Sequence, residues 1–430
     1  MNKLFEKISF WLPTNKNPLK KDLQYSVVAI LPVSMIIISF FYNNPVQIVK
    51  GLWTIILAND VFATDYTQIS SIGAGLFNSG IVTLINIYIL RKFDLKLNGI
   101  IISALFLITG FAFVGKNIYN IWPFYIGGYI YAKTHKVDFK NVIVTSMYTT
   151  ALAPIISVMA HTFAINVIAA VILSYSIGIF IGYVMPEVSS RMLMAHSGYN
   201  VYNTGFAAGF MAIVINSILN VFGERVSPKN IVNLNFDYGL LVMFVMYFLA
   251  LILIGYSHNN EDFSGYSKLM SYSGRLITDY TRLCGFPITL VNMGFLGLIS
   301  IAYIILMGGS INGPTIAALL TVVGFGALGK HPRNTISIMI GVAISSKMLS
   351  TDLSTTTIII SGLFGTTLAP IVGEYGFIYG LLIGPLHLAL VANIGSLHAG
   401  LNLYNNGLSG GIIAMTVVPI LDSFKVGERR

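Results

Sequence analysis

A single cysteine, Cys284, leaves this chain no intramolecular disulfide and no cysteine-based metal cluster. Charge is scarce as well. Asp, Glu, Lys and Arg make up 10% of the residues, where soluble domains carry about 25%. Hydrophobic residues fill 55% of the chain and the mean hydropathy is +0.77, so the surface has to be covered by lipid instead of water. HExxH, the Walker loop and GxGxxG after a strand are all missing, and no acidic residue stands at ligand spacing from the paired histidines His196 and His398. The expectation is therefore no enzyme, no cofactor and no metal. The net charge of +9 is spread over a leader and short loops, with no basic face larger than a loop, which excludes a nucleic-acid partner.

Long apolar runs are what the sequence does have. Residues 25–42 are uncharged and long enough for a helix to cross a bilayer core of about 30 Å. Comparable runs recur to the C-terminus. Lys3, Lys7, Lys16, Lys20 and Lys21 precede the first span, which ends in Phe40, Phe41 and Tyr42. This reads as a cytoplasmic leader followed by a retained signal anchor, without a small-residue cleavage site.

Self-similarity carries more information than composition. TDYT occurs at 64–67 and again at 278–281, 214 positions later, and the same offset pairs Asn78 with Asn292, Asn98-Gly99 with Asn312-Gly313, and Gly115-Lys116 with Gly329-Lys330. After a shift of two, Leu152-Ala153-Pro154-Ile155 matches Leu368-Ala369-Pro370-Ile371. HSGYNVYNTGFAAG (196–209) matches HAGLNLYNNGLSGG (398–411) at seven of fourteen positions. The division that follows is a basic leader 1–24, a membrane repeat 25–222, a linker 223–236, a second membrane repeat 237–424 and a basic tail 425–430.

Apolar periodicity predicts helices near 25–42, 67–90, 97–115, 119–132, 142–160, 165–185 and 200–222. The second half offers 237–256, 281–308, 313–329, 335–349, 355–373, 376–394 and 404–422. Seven per half inverts the second copy and gives an all-α polytopic protein of about fourteen spans with broken or re-entrant helices; 46–62 and 257–280 are left open. Charge agrees with inversion. Loop 91–96 carries Arg91, Lys92 and Lys96, while its counterpart 305–310 carries no base; after the Gly-Lys pair only the second half continues His331-Pro332-Arg333. Both termini are expected in the cytoplasm, in a bacterial inner membrane.

Charge inside a span is costly, so ionisable residues present in both halves are the first candidates. Asp65 and Thr67, with Asp279 and Thr281, suit a coupling cation or a proton; the plainer reading is a helix cap. In H-x-G-x-N-x-Y-N-x-G the Gly and Asn favour broken backbone lining a polar cavity. His196, Asn200, Tyr202 and Asn203 would meet a small polar solute together with His398, Asn402, Tyr404 and Asn405, supported by Asn78 and Asn292. The plainer reading is small-residue helix packing through Gly205, Gly209, Gly407 and Gly411. Lys116 and Lys330 close a helix, either snorkelling to the surface or, if turned inward, contacting an anion. Lys133 and Lys347, with Asp138 and Asp352, read as helix-end anchors, and Pro154 and Pro370 as kinks.

LITDY (276–280), NGPTIAALLTVVGFGALGKHPRN (312–334), GTTLAPIVGEYG (365–376) and HAGLNLYNNGLSGG (398–411) resemble a bacterial membrane family, the domain of unknown function DUF1576. The resemblance implies a duplicated membrane fold and no activity. The first half departs from it, with Asn117-Ile118-Tyr119 in place of His331-Pro332-Arg333 and Val158-Met159 in place of Glu374-Tyr375. IVKGLWTIILANDVF (48–62) and HSGYNVYNTGFAAG are similar to segments of urea transporters, an analogy of architecture only. The leading expectation is a cation- or proton-coupled transporter of a small polar or charged solute, with its site between the repeats. The alternatives are a channel or uniporter for a neutral solute, a non-transporting membrane subunit, or an intramembrane enzyme. The expected partners are the lipid bilayer, a small polar solute and a coupling cation, with a homo-oligomer left open.

Overall fold

The computed structural model describes residues 20–162, 166–227, 230–348 and 354–428. Residues 1–19 of the leader, Asp352, Arg429 and Arg430 lie outside the described residues, as does the side chain of Lys425. The first half contains α1 (Lys21–Tyr42), α2 (Pro45–Ile56), α3 (Ile72–Lys92), α4 (Gly99–Phe111), α5 (Trp122–Thr134), α6 (Ile143–Thr149), α7 (Ala153–Thr162), α8 (Val167–Ala195) and α9 (Asn203–Val221). The second half contains α10 (Tyr238–Ser257), α11 (Phe286–Leu306), α12 (Gly313–Phe325), α13 (Pro332–Ser346), α14 (Thr355–Gly365), α15 (Ala369–Tyr375), α16 (Phe377–Ile394) and α17 (Asn405–Glu428).

All fourteen segments read from hydropathy are helical, but they are not fourteen full spans. Ten helices among the described residues are long and apolar enough to cross a membrane, counting α6–α7 and α14–α15 as one each. α4 and α12 have 13 residues, about 20 Å at 1.5 Å per residue, because Asn98 and Asn312 cap their starts and Gly-Lys turns end them. α2 has 12 residues and cannot cross by length, although its Asn44–Gln47 capping box makes it a well-formed helix. Segment 257–280 holds one short turn, Tyr266–Leu269, and no spanning helix. The expected kinks at Pro154 and Pro370 are full interruptions: 3₁₀ turns Thr150–Leu152 and Thr366–Leu368 separate α6 from α7 and α14 from α15.

The two halves are related by inversion. Lys21 pairs with Asp94, and Arg91 with Asp22 at 2.9 Å, so the start of α1 and the end of α3 share one face. At the other end of α1, Tyr42 Oη donates to Asp237 Oδ1 at 2.5 Å, just before α10 begins. α1 and α10 therefore start at opposite faces. At the centre α4 and α12 run antiparallel: Gly99 abuts Ala327, Gly110 abuts Ala317, and Gly324 abuts Phe106. Every residue of α12 and all but Ile100 of α4 are buried. Small residues let the two backbones approach, which is how helices associate when lipid removes the hydrophobic drive between them. α9 and α17 also cross antiparallel, with Phe206 against Gly411 and Gly209 against Leu408. Exposed Ile37, Phe41, Phe180, Val242 and Leu382 on the outer helices form the surface that faces lipid.

Candidate functional site

The histidine–asparagine motif is the break before α9 and again before α17. After His196 the chain turns through Ser197 (φ 50°) and Gly198 (φ 83°); after His398 it turns through Ala399 (φ 48°) and Gly400 (φ 79°). The glycine at the second position is needed because few L residues tolerate such a φ. The motif then fixes itself. His196 Nε2 donates to Asn203 Oδ1 at 2.9 Å, and His398 Nε2 to Asn405 Oδ1 at 2.8 Å. Asn200 Oδ1 accepts from the Tyr202 amide at 3.1 Å, and Asn402 Oδ1 from the Tyr404 amide at 2.9 Å.

Each motif docks on the broken helix of the other repeat. The Val201 amide donates to Thr367 O and the Leu403 amide to Ala151 O, both at 3.0 Å. The following tyrosines then meet the lysines, again across the repeats. Lys116 Nζ donates to Tyr404 Oη, and Lys330 Nζ donates to Tyr202 Oη and to Thr366 Oγ1 at 2.7 Å. Lys116 Nζ lies 4.6 Å from the centre of the Tyr404 ring and Lys330 Nζ 4.2 Å from that of Tyr202. Both lysines are fully buried. The ion pairs among the described residues are Lys21–Asp94, Arg91–Asp22 and Arg282–Asp279, so neither lysine has a carboxylate partner.

Tyr202 and Tyr404 both face a cavity of about 530 Å³ between the repeats. Its rim includes the exposed residues Lys140, Asn141 and Ser190. Its deeper wall is mostly apolar and aromatic, with Phe111, Tyr148, Phe325 and Phe364, while Thr321 and Asn406 add polar atoms. Of the residues singled out for substrate contact, Tyr202, Asn203 and Tyr404 line this cavity; His196, Asn200, His398, Asn402 and Asn405 stand behind it, holding the break. Asn78 and Asn292 clamp helix ends: Asn78 Nδ2 donates to Ala112 O and Lys116 O, and Asn292 Nδ2 to Gly326 O and Lys330 O. They set where each lysine leaves its helix.

Asp65 and Asp279 lie at opposite ends of the α4–α12 pair; neither lines the cavity, although Asp279 is bridged to Leu328, which does. Asp65 Oδ1 accepts from the Thr67 amide and hydroxyl at 2.9 and 2.8 Å, and Oδ2 from the Asn233 amide at 3.0 Å. Asp65 also accepts from the Gly313 amide at the start of α12. Asp279 Oδ1 accepts from Thr281 in the same way and from the Gly99 amide at 3.1 Å. Each aspartate thus caps the central helix of the other repeat.

Asp60 does not emerge from the repeat comparison. It is fully buried, and its Oδ2 accepts from Tyr66 Oη at 2.9 Å, Ser157 Oγ at 3.0 Å and Asn117 Nδ2 at 3.3 Å. Its counterpart is Gly274, so a search for residues present twice passes over it. Thr366 and His387 are missed too. Thr366 belongs to a Thr-Thr pair just before the Leu-Ala-Pro-Ile repeat, a signal that was available. His387 is fully buried, its ring lies against the backbones of Ser361 and Asn406, and the first half carries Met185 at that position. A smaller cavity of about 300 Å³ adjoins His331 and Arg333, where His331 Nε2 lies 2.9 Å from Tyr272 O.

Fold and site together define a polytopic integral membrane protein of two inverted repeats around a buried, cation-bearing interface. The chain belongs to the family described as Protein of unknown function (DUF1576), whose model matches residues 44–221 and 258–423. The two matches fall on the two repeats, each lacking its first long helix. No curated protein and no solved structure matches the chain.

Proposed function

We propose that the protein is a transporter that moves a small polar or charged solute by alternating access, with the inter-repeat cavity as one of two alternating entrances. The supporting observation is an inequality between equivalent positions. Thr145 lines the cavity, whereas Ser361, at the same place in the second repeat, is fully buried. Inverted repeats can exchange conformations, closing the first cavity and opening its counterpart to the other face. The rim at Lys140 belongs with Arg91, Lys92 and Lys96, so under the positive-inside rule the present opening faces the cytoplasm of a bacterial cell. We assign Asp65 and Asp279 to holding the repeats together, and leave ion coupling to be found by measurement.

Single cysteines at Thr145 or Ser361, in a Cys284→Ser background, test this with a membrane-impermeant maleimide on oriented vesicles. Alternating access requires Thr145→Cys to react from the Lys140 face. Ser361→Cys should react only from the opposite face, and a cross-link holding the Lys140 side open should slow it. Simultaneous reactivity from both faces indicates a channel. Protection of both positions under all conditions indicates a packed, non-transporting subunit and ends the proposal.

A further inference from the structure

We propose that the solute is a small organic anion: a carboxylate or similar group held at the Lys330–Tyr202 and Lys116–Tyr404 pairs, carrying an apolar body against the aromatic wall. This rests on the transport reading above and supplies its substrate class.

Three observations lead to it. First, two ammonium groups are fully buried without a carboxylate partner among the described residues. Their neighbours are hydroxyls and ring faces: Tyr404 for Lys116, and Tyr202 and Thr366 for Lys330. Hydroxyls and ring faces offset only part of the desolvation of a cation, so each buried ammonium is fully compensated only with an anion beside it. A neutral solute leaves that desolvation uncompensated and a cation adds to it. Second, each tyrosine accepts its lysine's hydrogen bond and also lines the cavity. A phenol that accepts from an ammonium still has its own O–H to donate, and an anion is the strongest acceptor for it. Third, the deep wall is otherwise mainly apolar, with Phe111, Phe325, Phe364, Leu107 and Leu328. A hydrated inorganic anion gains nothing there, whereas an aryl or alkyl body does. The volume, about 530 Å³, is that of a small-molecule pocket. At the mouth, Lys140 extends a basic rim that raises the local concentration of anions.

The polar atoms are richer on the side of Lys330, which has two hydroxyl partners where Lys116 has one. Ser409, fully buried in the same repeat, has no hydrogen-bond partner for its side chain. Asn406, on the cavity wall, has a buried Oδ1 in the same condition. The anionic end therefore settles on the Lys330 side in this conformation, with Lys116 its counterpart when the cavity opens the other way.

Matched probes test this on the purified full-length protein: benzoate, its neutral analogue benzamide, and sodium chloride and sodium sulfate as inorganic anions, each followed by thermal shift and by titration. Benzoate should bind at least about tenfold tighter than benzamide, and Lys330→Gln should remove that preference. The comparison within wild-type protein stands even if the variant does not fold. Equal binding of benzoate and benzamide overturns the charge assignment. Protection by chloride or sulfate equal to that by benzoate overturns the organic body. The absence of any benzoate shift up to roughly 20 mM, far above a useful transport affinity, overturns both. The cysteine experiment separates the two proposals. Alternating reactivity without benzoate binding removes only the anion, whereas benzoate binding with static reactivity removes only transport.

Discussion

A carboxylate that satisfies amide groups of another repeat is a cap whose partner no sequence window contains. Asp65 is engaged through both oxygens, by Thr67, Asn233 and Gly313; Asp279 binds Thr281 and Gly99. Replacing either carboxylate with Asn weakens charge-assisted bonds to backbone amides, an expected loss of about 1–3 kcal/mol. Asp65→Asn and Asp279→Asn should therefore lower the melting temperature while leaving benzoate affinity unchanged. Loss of ion-dependent uptake at unaltered stability would move both residues to ion coupling. The sequence marks TDYT as duplicated, but it cannot separate cap from ion site, because the amides that decide the matter lie 168 and 180 positions away. Lys116 and Lys330 were equally ambiguous: a lysine at a helix end snorkels or turns inward according to what surrounds it, and here Tyr404 and Tyr202 surround it. Asp60 stayed hidden for another reason, since it has no duplicate.

At the level of elements, hydropathy located the long helices but not α2, and misjudged length where tertiary contacts end a helix early. α4 and α12 are cut to 13 residues by caps and by Gly115 and Gly329, whose φ values of 122° and 87° turn the chain out of the helix. The ends of this central pair leave no room for a side chain. A Cβ on Gly313 would stand 2.5 Å from Asp65 Oδ1 and 2.8 Å from Phe113 O. Gly313→Ala should destabilise the protein by about 1–3 kcal/mol through overpacking. Gly395→Ala is the control, because its Cβ meets only Asn405 Nδ2 at 3.7 Å. Equal melting temperatures for the two variants would show that the interface is loose. The 3₁₀ breaks at Thr150 and Thr366 were legible only as prolines; that Thr366 carries its hydroxyl to Lys330 depends on how the two repeats dock.

For the whole molecule, inversion could be read from charge before any contact was known, because basic loops change sides between the copies. The antiparallel α4–α12 pair and the Tyr42–Asp237 bond give it a geometric form. Reporter fusions at residues 94 and 310 should report opposite sides of the membrane, and agreement between them would contradict the inverted arrangement. The broken motifs imply a cavity between the repeats, but a polar one; its volume and mostly apolar wall were not legible, since the wall comes from both repeats and the volume depends on how far they stand apart.

The exchanged caps bear on how the protein is made. When the first repeat has left the ribosome, the amide of Gly99 has no acceptor until Asp279 is synthesised 180 residues later. Asp65, meanwhile, awaits Gly313. In hydrocarbon such vacancies are unfavourable. Neither half can therefore complete its own central helix, and the finished fold is mutual: each copy supplies the group that caps the other.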